Sequence, residues 1–490
     1  MNTLQPASRL TVLALALVLA GCAVGPAYQS PGIDVPAAFK EAQGSFPQVW
    51  VPATPADAQP RGDWWKLFND PVLNDLAQQV NVSNQNIAAA VAAYNQARAL
   101  VAVQRAQMFP NVGLNLGADR SGGRGSTAGT RSSYQLGIGA SWEPDLFGRL
   151  SLAAGSAGAA AQASAADLAS ARLASQGELA VAYVAVRQYD AQRALLAQTV
   201  QGYERSQQIA QNRYDAGIAP RTDVLQAQTQ LANTRADLLT LERQRAQAEH
   251  AIAVLVGKAP ASFSLAAQPQ WQAVVPAVPL SVPSTLLQRR PDIAARERRV
   301  AQANAQIGVA QTAYYPSIGL NASIGTGGPS ISDLFSASTL VWAVGASLAQ
   351  TLFSAGARGA QVDSARAALE AAAAQYRQTV LAAFQDVEDQ LVAARVLQQQ
   401  QALREEAARA ADLAGQQMLN RYKAGQVSFS EVISAQAAAQ SARRAMVQLQ
   451  ADRQTAAVAL VQALGGGDGR TLEHISPPRG ISDGLPLPTQ

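Results

Sequence analysis

The second half of this chain repeats the first, and that duplication limits its possible folds more than any other feature. Phe109-Pro110-Asn111-Val112-Gly113-Leu114-Asn115 returns 206 positions later as Tyr315-Pro316-Ser317-Ile318-Gly319-Leu320-Asn321. Arg213-Tyr214-Asp215-Ala216-Gly217 returns 208 positions later as Arg421-Tyr422-Lys423-Ala424-Gly425, and Val254-Leu255-Val256-Gly257 answers to Gln462-Ala463-Leu464-Gly465 at the same offset. Solenoid units run to roughly 20–50 residues. This period is far longer, so each copy is expected to be half of one architecture. The division that follows is a first repeat at 73–257 and a second at 286–466. Between them lies a connector at 258–285 whose Pro260, Pro269, Pro276, Pro279 and Pro283 forbid regular helix. An extended segment at 22–72 precedes the repeats, and a tail at 467–490 follows.

Each copy carries two stretches of period-2 alternation, at 111–119 and 133–143 and again at 317–326 and 339–349. In the first, Val112, Leu114, Leu116 and Ala118 alternate with Asn111, Gly113, Asn115, Gly117 and Asp119. Strands of about ten residues with one apolar face and one small, polar face are the signature of a membrane β-barrel, although a water-soluble sandwich alternates in the same way. The segments between the paired strands, 120–132 and 326–338, are rich in Gly, Ser and Thr and read as exposed loops. Four strands cannot close a barrel. Eight strands, from two chains, would be filled by their own side chains, whereas twelve from three chains leave room for water. The chain is therefore expected to supply one third of a pore.

The remainder reads as helix. Leu73, Val80, Ile87, Tyr94, Val101 and Met108 keep a seven-residue step, as do Val224, Leu231 and Leu238, with Ile252 two steps further on. The run from about Leu150 to Ala216 has no Pro and would reach ~100 Å as one helix; the stretch from about Ala360 to Ala424 matches it. Small Ala and Ser recur around much of these helices, which suits close packing on two sides and a closed tube of helices better than a simple pair. An elongated coiled-coil scaffold would explain the helices and leave the strands unexplained.

The N-terminus reads as an address. Arg9, the apolar run Leu10 to Ala20, and Leu19-Ala20-Gly21-Cys22 resemble a lipoprotein signal peptide at 1–21, too short to span a membrane as a helix. Cys22 would carry a diacylglycerol and an N-acyl chain, and three chains anchor firmly at ~0.8 kcal/mol per buried CH₂. An ordinary secretory signal with a chance Cys is the alternative. Ala23 in place of Asp suits onward transport to the outer membrane. With the lipid at the inner leaflet of that membrane, and each strand pair entered from helices, the helices lie on the periplasmic side.

Composition argues against chemistry. Charged residues make up 15%, against roughly 25% in ordinary soluble proteins. A balance of Lys+Arg 38 to Asp+Glu 34 supplies no basic stripe for nucleic acid. One Cys and two His, at 250 and 474, exclude an intrachain disulfide, a thiolate metal cluster and a His-rich metal site. GxxxxGK[ST] and HExxH are both absent. No cofactor or metal is expected besides the lipid, and no enzyme activity.

Two turns stand out. Gly217 and Gly425 suit the left-handed position just past a helix end. Pro220-Arg221-Thr222-Asp223 restarts one helix and Ser428-Phe429-Ser430-Glu431 the other. Thr222, Ser428 or Ser430 can cap, and Asp223 or Glu431 suits the positive helix start. Arg289-Arg290-Pro291-Asp292 reads in the same way as a helix start with locally paired arginines.

Gly25-Pro26-Ala27-Tyr28, Asp63-Trp64-Trp65, Asp145-Leu146-Phe147-Gly148-Arg149 and Leu287-Gln288-Arg289-Arg290-Pro291-Asp292-Ile293, in that order and with the duplication, resemble the outer-membrane factors (TolC-like, NodT-type) of tripartite efflux pumps. The resemblance covers nearly all of the mature chain. It implies a mainly α fold with membrane β: a homotrimer whose twelve-stranded β-barrel continues into a long α-helical barrel with a mixed equatorial domain. The implied partners are a periplasmic adaptor (membrane fusion protein), an inner-membrane RND-type pump and outer-membrane lipid, and the implied cargo is drugs and other small toxic molecules. By the same resemblance, the turns at 214–222 and 422–430 form the periplasmic mouth. Arg213, Tyr214, Gly217, Arg421 and Gly425 fall at adaptor-docking tips. Tyr422 and Asp223 match a pair that holds the mouth shut, and Glu431 falls in a cation-attracting ring. Val427 stands where some members have Arg, and Ser434 where many have Asp, so the gate is expected to have fewer polar links, with Glu431 supplying the ring. A channel for type I protein secretion and a non-conducting periplasmic lipoprotein are the alternatives.

Overall fold

The computed structural model describes residues 24–36, 38–42, 62–123, 130–276 and 289–466. The signal peptide, Cys22, the end of the connector with Leu287 and Gln288, and the tail lie outside the described residues. Two compact units emerge within them: 24–33, 90–167 and 292–379 form one, and 34–89, 168–291 and 380–466 the other. They do not coincide with the two copies, because each copy contributes to both.

The first unit holds the sheet. Strands β1 (Asn111–Ser121), β2 (Arg131–Trp142), β3 (Ser317–Gly328) and β4 (Leu340–Ala349) are all antiparallel neighbours in chain order. Their ends differ by one or two residues from the expected ranges. The register puts Leu114, Ile138, Ile324 and Trp342 in one cross-strand row, Val112, Ala140, Ala322 and Val344 in the next, and Leu116, Leu136, Thr326 and Leu340 in a third. Partners across a ladder share a face, so the large apolar residues of both copies fall on a single face, Val341 excepted. The opposite face carries Asn111, Ser141, Asn321 and Gly345, then Gly113, Gly139, Ser323 and Ala343. Leu116, Trp342 and Val344 are 74%, 72% and 74% exposed.

The loop between β3 and β4 is largely exposed, as expected from its composition, and it carries local helical structure. Short 3-10 helices run Ile331–Phe335 and Ala337–Thr339, the first opened by a Ser330–Asp333 capping box, and the Thr326 and Thr339 hydroxyls meet at 2.6 Å. Small side chains let the helices of this unit approach closely. Ala166 of α3 (Arg149–Asp215) packs on Ala294 and Ala295 of α5 (Pro291–Thr312), and Gln306 donates to Ser156 at 2.7 Å. The Asp145-Leu146-Phe147-Gly148-Arg149 motif has a clear role here. Asp145 accepts from the N–H groups of Leu150 (2.9 Å) and Ser151 (2.7 Å), which caps α3, while Phe147 stacks on Tyr315 at 4.9 Å.

In the second unit Trp64, Trp65 and Phe68, on a 3-10 helix, are buried. Trp64 donates to Gln176 at 3.1 Å. Asp70 caps α1 (Pro71–Ser83) through Val72 N and Leu73 N and accepts from the Tyr183 hydroxyl at 2.6 Å. The seven-residue step does not run along one helix. Asn84 interrupts it in an extended conformation, and α2 (Gln85–Ala106) restarts and ends before Met108. The Asn84 side-chain oxygen accepts from Asn86 N and Ile87 N, and its amide donates to Leu255 O at 2.8 Å. An Asn that satisfies the first N–H groups of the new helix makes the break stable. Arg290 also reaches beyond its own helix start, to Asp386 (3.0 Å) and the Ala463 carbonyl (3.2 Å).

The connector is held by a buried ionic cluster. Asp190 takes Arg187 (3.2 Å) and Arg245 (2.6 Å), and Glu249 takes Arg245 at 2.8 Å. The arginines donate in turn to the carbonyls of Ala266 (2.8 Å) and Leu265 (2.6 Å), and Gln268 N donates to Asp190 at 3.0 Å. Ten residues before Arg187 on the same helix, Gly177 of α3 lies directly under the Gln462 amide of α7 (Phe429–Ala463), which donates to Leu173 O. A Cβ at 177 would lie 1.8 Å from that amide. Gly177→Leu is therefore expected to destabilise the chain by about 1–3 kcal/mol through overpacking, measured by guanidinium unfolding in detergent; an unchanged midpoint would show that Gln462 swings away freely.

Candidate functional site

The site is the pair of helical turns, α3 to α4 (Arg221–Leu255) and α6 (Ala357–Lys423) to α7. Both first helices end in a Schellman motif. Gly217 N bonds Tyr214 O at 2.9 Å and Ile218 N bonds Arg213 O at 2.8 Å; Gly425 N bonds Tyr422 O and Gln426 N bonds Arg421 O, each at 2.9 Å. The motif needs a left-handed residue after the helix, and Gly217 and Gly425 supply it at φ 70° and 74°.

The restarts differ. Ser428 and Glu431 form a capping box, in which the Glu431 carboxylate accepts from Ser428 N (2.8 Å) and Ser428 Oγ (2.9 Å). Those bonds, the backbone one first, hold the exposed Glu431 carboxyl below its ordinary pKa, with Arg421 adding to the shift. At the other turn Pro220, not Thr222, occupies the N-cap position, and it offers no side-chain bond. Asp223 sits in the first turn of α4 and faces the other hairpin.

There the two hairpins meet around one aromatic residue. Tyr422 is 3% exposed, and its hydroxyl donates to Asp223 Oδ2 at 3.0 Å. Ala210, Val224, Ala227, Phe429 and Val432 complete the apolar core, with the rings of Tyr422 and Phe429 5.1 Å apart. Burial, reinforced by the hydrogen bond to Asp223 and its negative charge, pushes the Tyr422 hydroxyl up to about 12. Arg213 stands 5.0 Å over the Tyr422 ring and donates to Lys423 O at 3.0 Å. Arg213 thus braces the latch between hairpins, a contact that the tip-docking expectation missed and that its position 209 residues before Tyr422 concealed. Tyr214 is 41% exposed and takes no part in this core. Ser434 folds back onto its own helix, donating to Ser430 O at 2.9 Å.

The arrangement is a mechanical contact. Among the described residues no group of His, Cys, Asp and Glu could hold a metal ion, and no helix is long and apolar enough to cross a membrane. The chain thus combines an amphipathic four-stranded sheet with two helical hairpins that meet around Tyr422. The family model for outer membrane efflux proteins matches residues 76–258 and 282–466. The pyoverdine export outer membrane protein OpmQ of Pseudomonas aeruginosa is 31% identical over 94% of this chain and 96% of its own length. The antibiotic efflux pump outer membrane protein ArpC of Pseudomonas putida is 30% identical over 94% and 96%. The solved outer-membrane channel OprN superposes with a TM-score of 0.82 at 30% identity, covering 91% of this chain and 99% of OprN. The chain belongs to the outer membrane efflux protein family. It is an outer-membrane exit duct for efflux, with its long helices in the periplasm, and not an enzyme.

Proposed function

We propose that three copies of this chain form the passive outlet of a tripartite pump, taking small toxic molecules from an inner-membrane RND-type transporter through a periplasmic adaptor. The carrying observation is the sheet. Every strand turns most of its apolar residues to one face, and the other face is mainly Gly, Ser and Asn, with Val341 and Ala343 of β4 among the apolar exceptions. Strands β1 and β4 have no second partner among the described residues. An open edge is a template for pairing, and closure through three sheets satisfies both edges while surrounding water with the small, polar face. Strands of 10–12 residues match the roughly 9–11 that a tilted membrane strand needs. The lipid on Cys22 would anchor each chain beside the barrel.

In this reading Tyr422, Asp223 and Arg213 latch the periplasmic mouth, and the Arg213, Tyr214, Gly217, Arg421 and Gly425 tips meet the adaptor. Glu431, exposed and ionised, places three carboxylates around the mouth. Glu431→Ala is expected to weaken cation preference and block by polyvalent cations in planar bilayers. Unchanged selectivity and block would remove Glu431 from the ring. The test of the duct itself is single-channel recording from the purified chain: ohmic steps support it, and bilayers that stay silent even with latch variants contradict it.

A further inference from the structure

The buried latch joins one copy of the repeat to the other: Tyr422 and its neighbour Phe429 belong to the second copy, Asp223 and Arg213 to the first. The 208-residue offset maps the tyrosine, the carboxylate and the arginine each onto a residue of the same chemical type, whereas Phe429 falls on Arg221. Tyr422 corresponds to Tyr214, Asp223 to Glu431, and Arg213 to Arg421. The second set is nevertheless not assembled within the chain. Tyr214 is 41% exposed where Tyr422 is 3%, the adjoining Ile218 is 65% exposed, and Glu431 stands in the open beside Arg421.

Two repeats in each of three chains make six equivalent hairpins in a ring, an argument that rests on the trimer proposed above. Stepping once around such a ring carries the first repeat onto the second, and the second onto the first repeat of the next chain. The contact between repeats inside a chain therefore has a counterpart between chains. We infer that Tyr214 of one copy donates its hydroxyl to Glu431 of its neighbour, beneath the neighbour's Arg421, forming a second latch that alternates with the Tyr422–Asp223 latch around the mouth. A carboxylate has about four acceptor sites, so Glu431 can hold Ser428 through Oε2 and still accept Tyr214 through Oε1. Burial of Tyr214 and Ile218 against the neighbouring hairpin supplies the apolar part, as Phe429 and Val432 do within the chain. The ring then has six tyrosine–carboxylate links, three inside chains and three between them.

Cys22 is the sole cysteine, so thiol crosslinking reads the contact cleanly. The full chain carrying Tyr214→Cys with Glu431→Cys is treated in outer membranes with a bis-maleimide of ethylene spacer, which spans the length of the lost tyrosine. Bands at two and three times the chain mass are expected, with each single variant remaining at the chain mass. The pair Tyr422→Cys with Asp223→Cys is the control, expected to crosslink within one chain and leave its mass unchanged. The native mass of the purified, detergent-solubilised wild-type protein is measured alongside. A trimeric mass with the Tyr214/Glu431 pair confined to the chain-mass band, while the control reacts, overturns the second latch and leaves the trimer standing. A monomeric native mass overturns the trimer and the latch with it.

Discussion

Asp190→Ala is expected to lower the stability of the folded chain by about 3–5 kcal/mol, the range for removing one partner from a buried ion pair. Asp190 is fully buried between Arg187, 3% exposed, and Arg245. Without its carboxylate the Arg187 guanidinium loses its ion-pair partner out of water, Arg245 keeps only Glu249, and Gln268 N loses its acceptor. The lost attraction is the smaller part of the effect, because the charges left behind dominate. Replacing all four residues of the cluster together, Arg187→Met, Asp190→Leu, Arg245→Met and Glu249→Gln, removes every charge and is expected to cost less than Asp190→Ala alone. Guanidinium unfolding in detergent, followed by helical circular dichroism, measures both. A loss below 1 kcal/mol for Asp190→Ala would mean that water reaches the cluster, and that the carbonyls of Leu265 and Ala266 are not what holds the connector.

Tyr422→Phe is expected to keep the ring in its core and delete only the bond to Asp223. Hydrogen bonds to charged groups contribute about 1.5–3 kcal/mol, and each 1.4 kcal/mol is a tenfold change in an equilibrium. The closed-to-open ratio of each hairpin pair should then fall by roughly ten- to hundredfold, seen in planar bilayers as larger and longer openings. Asp223→Ala should do the same, and the double variant should add little to either, since both remove one bond. Additive effects would show two independent contacts. The pH dependence has a definite sign. The Tyr422 hydroxyl titrates near 12 in the folded chain against 10.0 when free, so the folded state holds its proton more tightly. Its contribution is complete below pH 10, weakens as pH rises between 10 and 12, and is lost above that. Wild-type openings should increase over that window, and those of Tyr422→Phe should not show this increase.

Where a local rule governed an element, the chain could be read directly. Strand alternation survives because a one-residue slip would turn Leu114 or Ile324 to the wrong face, and the long helices α3 and α6 announce themselves by lacking Pro across their length. The glycines of the two Arg-Tyr-x-Ala-Gly turns are equally legible, since the left-handed position they fill excludes most side chains. Features set by tertiary partners were hidden. Asn84 breaks a helix without Pro or Gly, because its oxygen caps the next one and its amide finds Leu255. Arg187, Asp190 and Arg245 carry no periodic signal and meet only when the connector folds over them. Tyr214 and Tyr422 sit in the same motif, and nothing local distinguishes the exposed ring from the buried one. Only the residue each meets across the hairpins does that. Of the expected latch, Tyr422 and Asp223 were visible in the resemblance, whereas the brace from Arg213 and the packing of Phe429 required the assembled tip.

Channel formation depends on which medium each face of the sheet sees. Single cysteines placed at 112, 114, 116 and 118 of β1, and at the intervening 113, 115 and 117, can be spin-labelled in the membrane-embedded protein and tested against oxygen and a water-soluble nickel chelate. Even positions should respond to oxygen and odd ones to the chelate, alternating along the whole strand. A strand whose even and odd positions both met the chelate alone would place the sheet in water and contradict the channel.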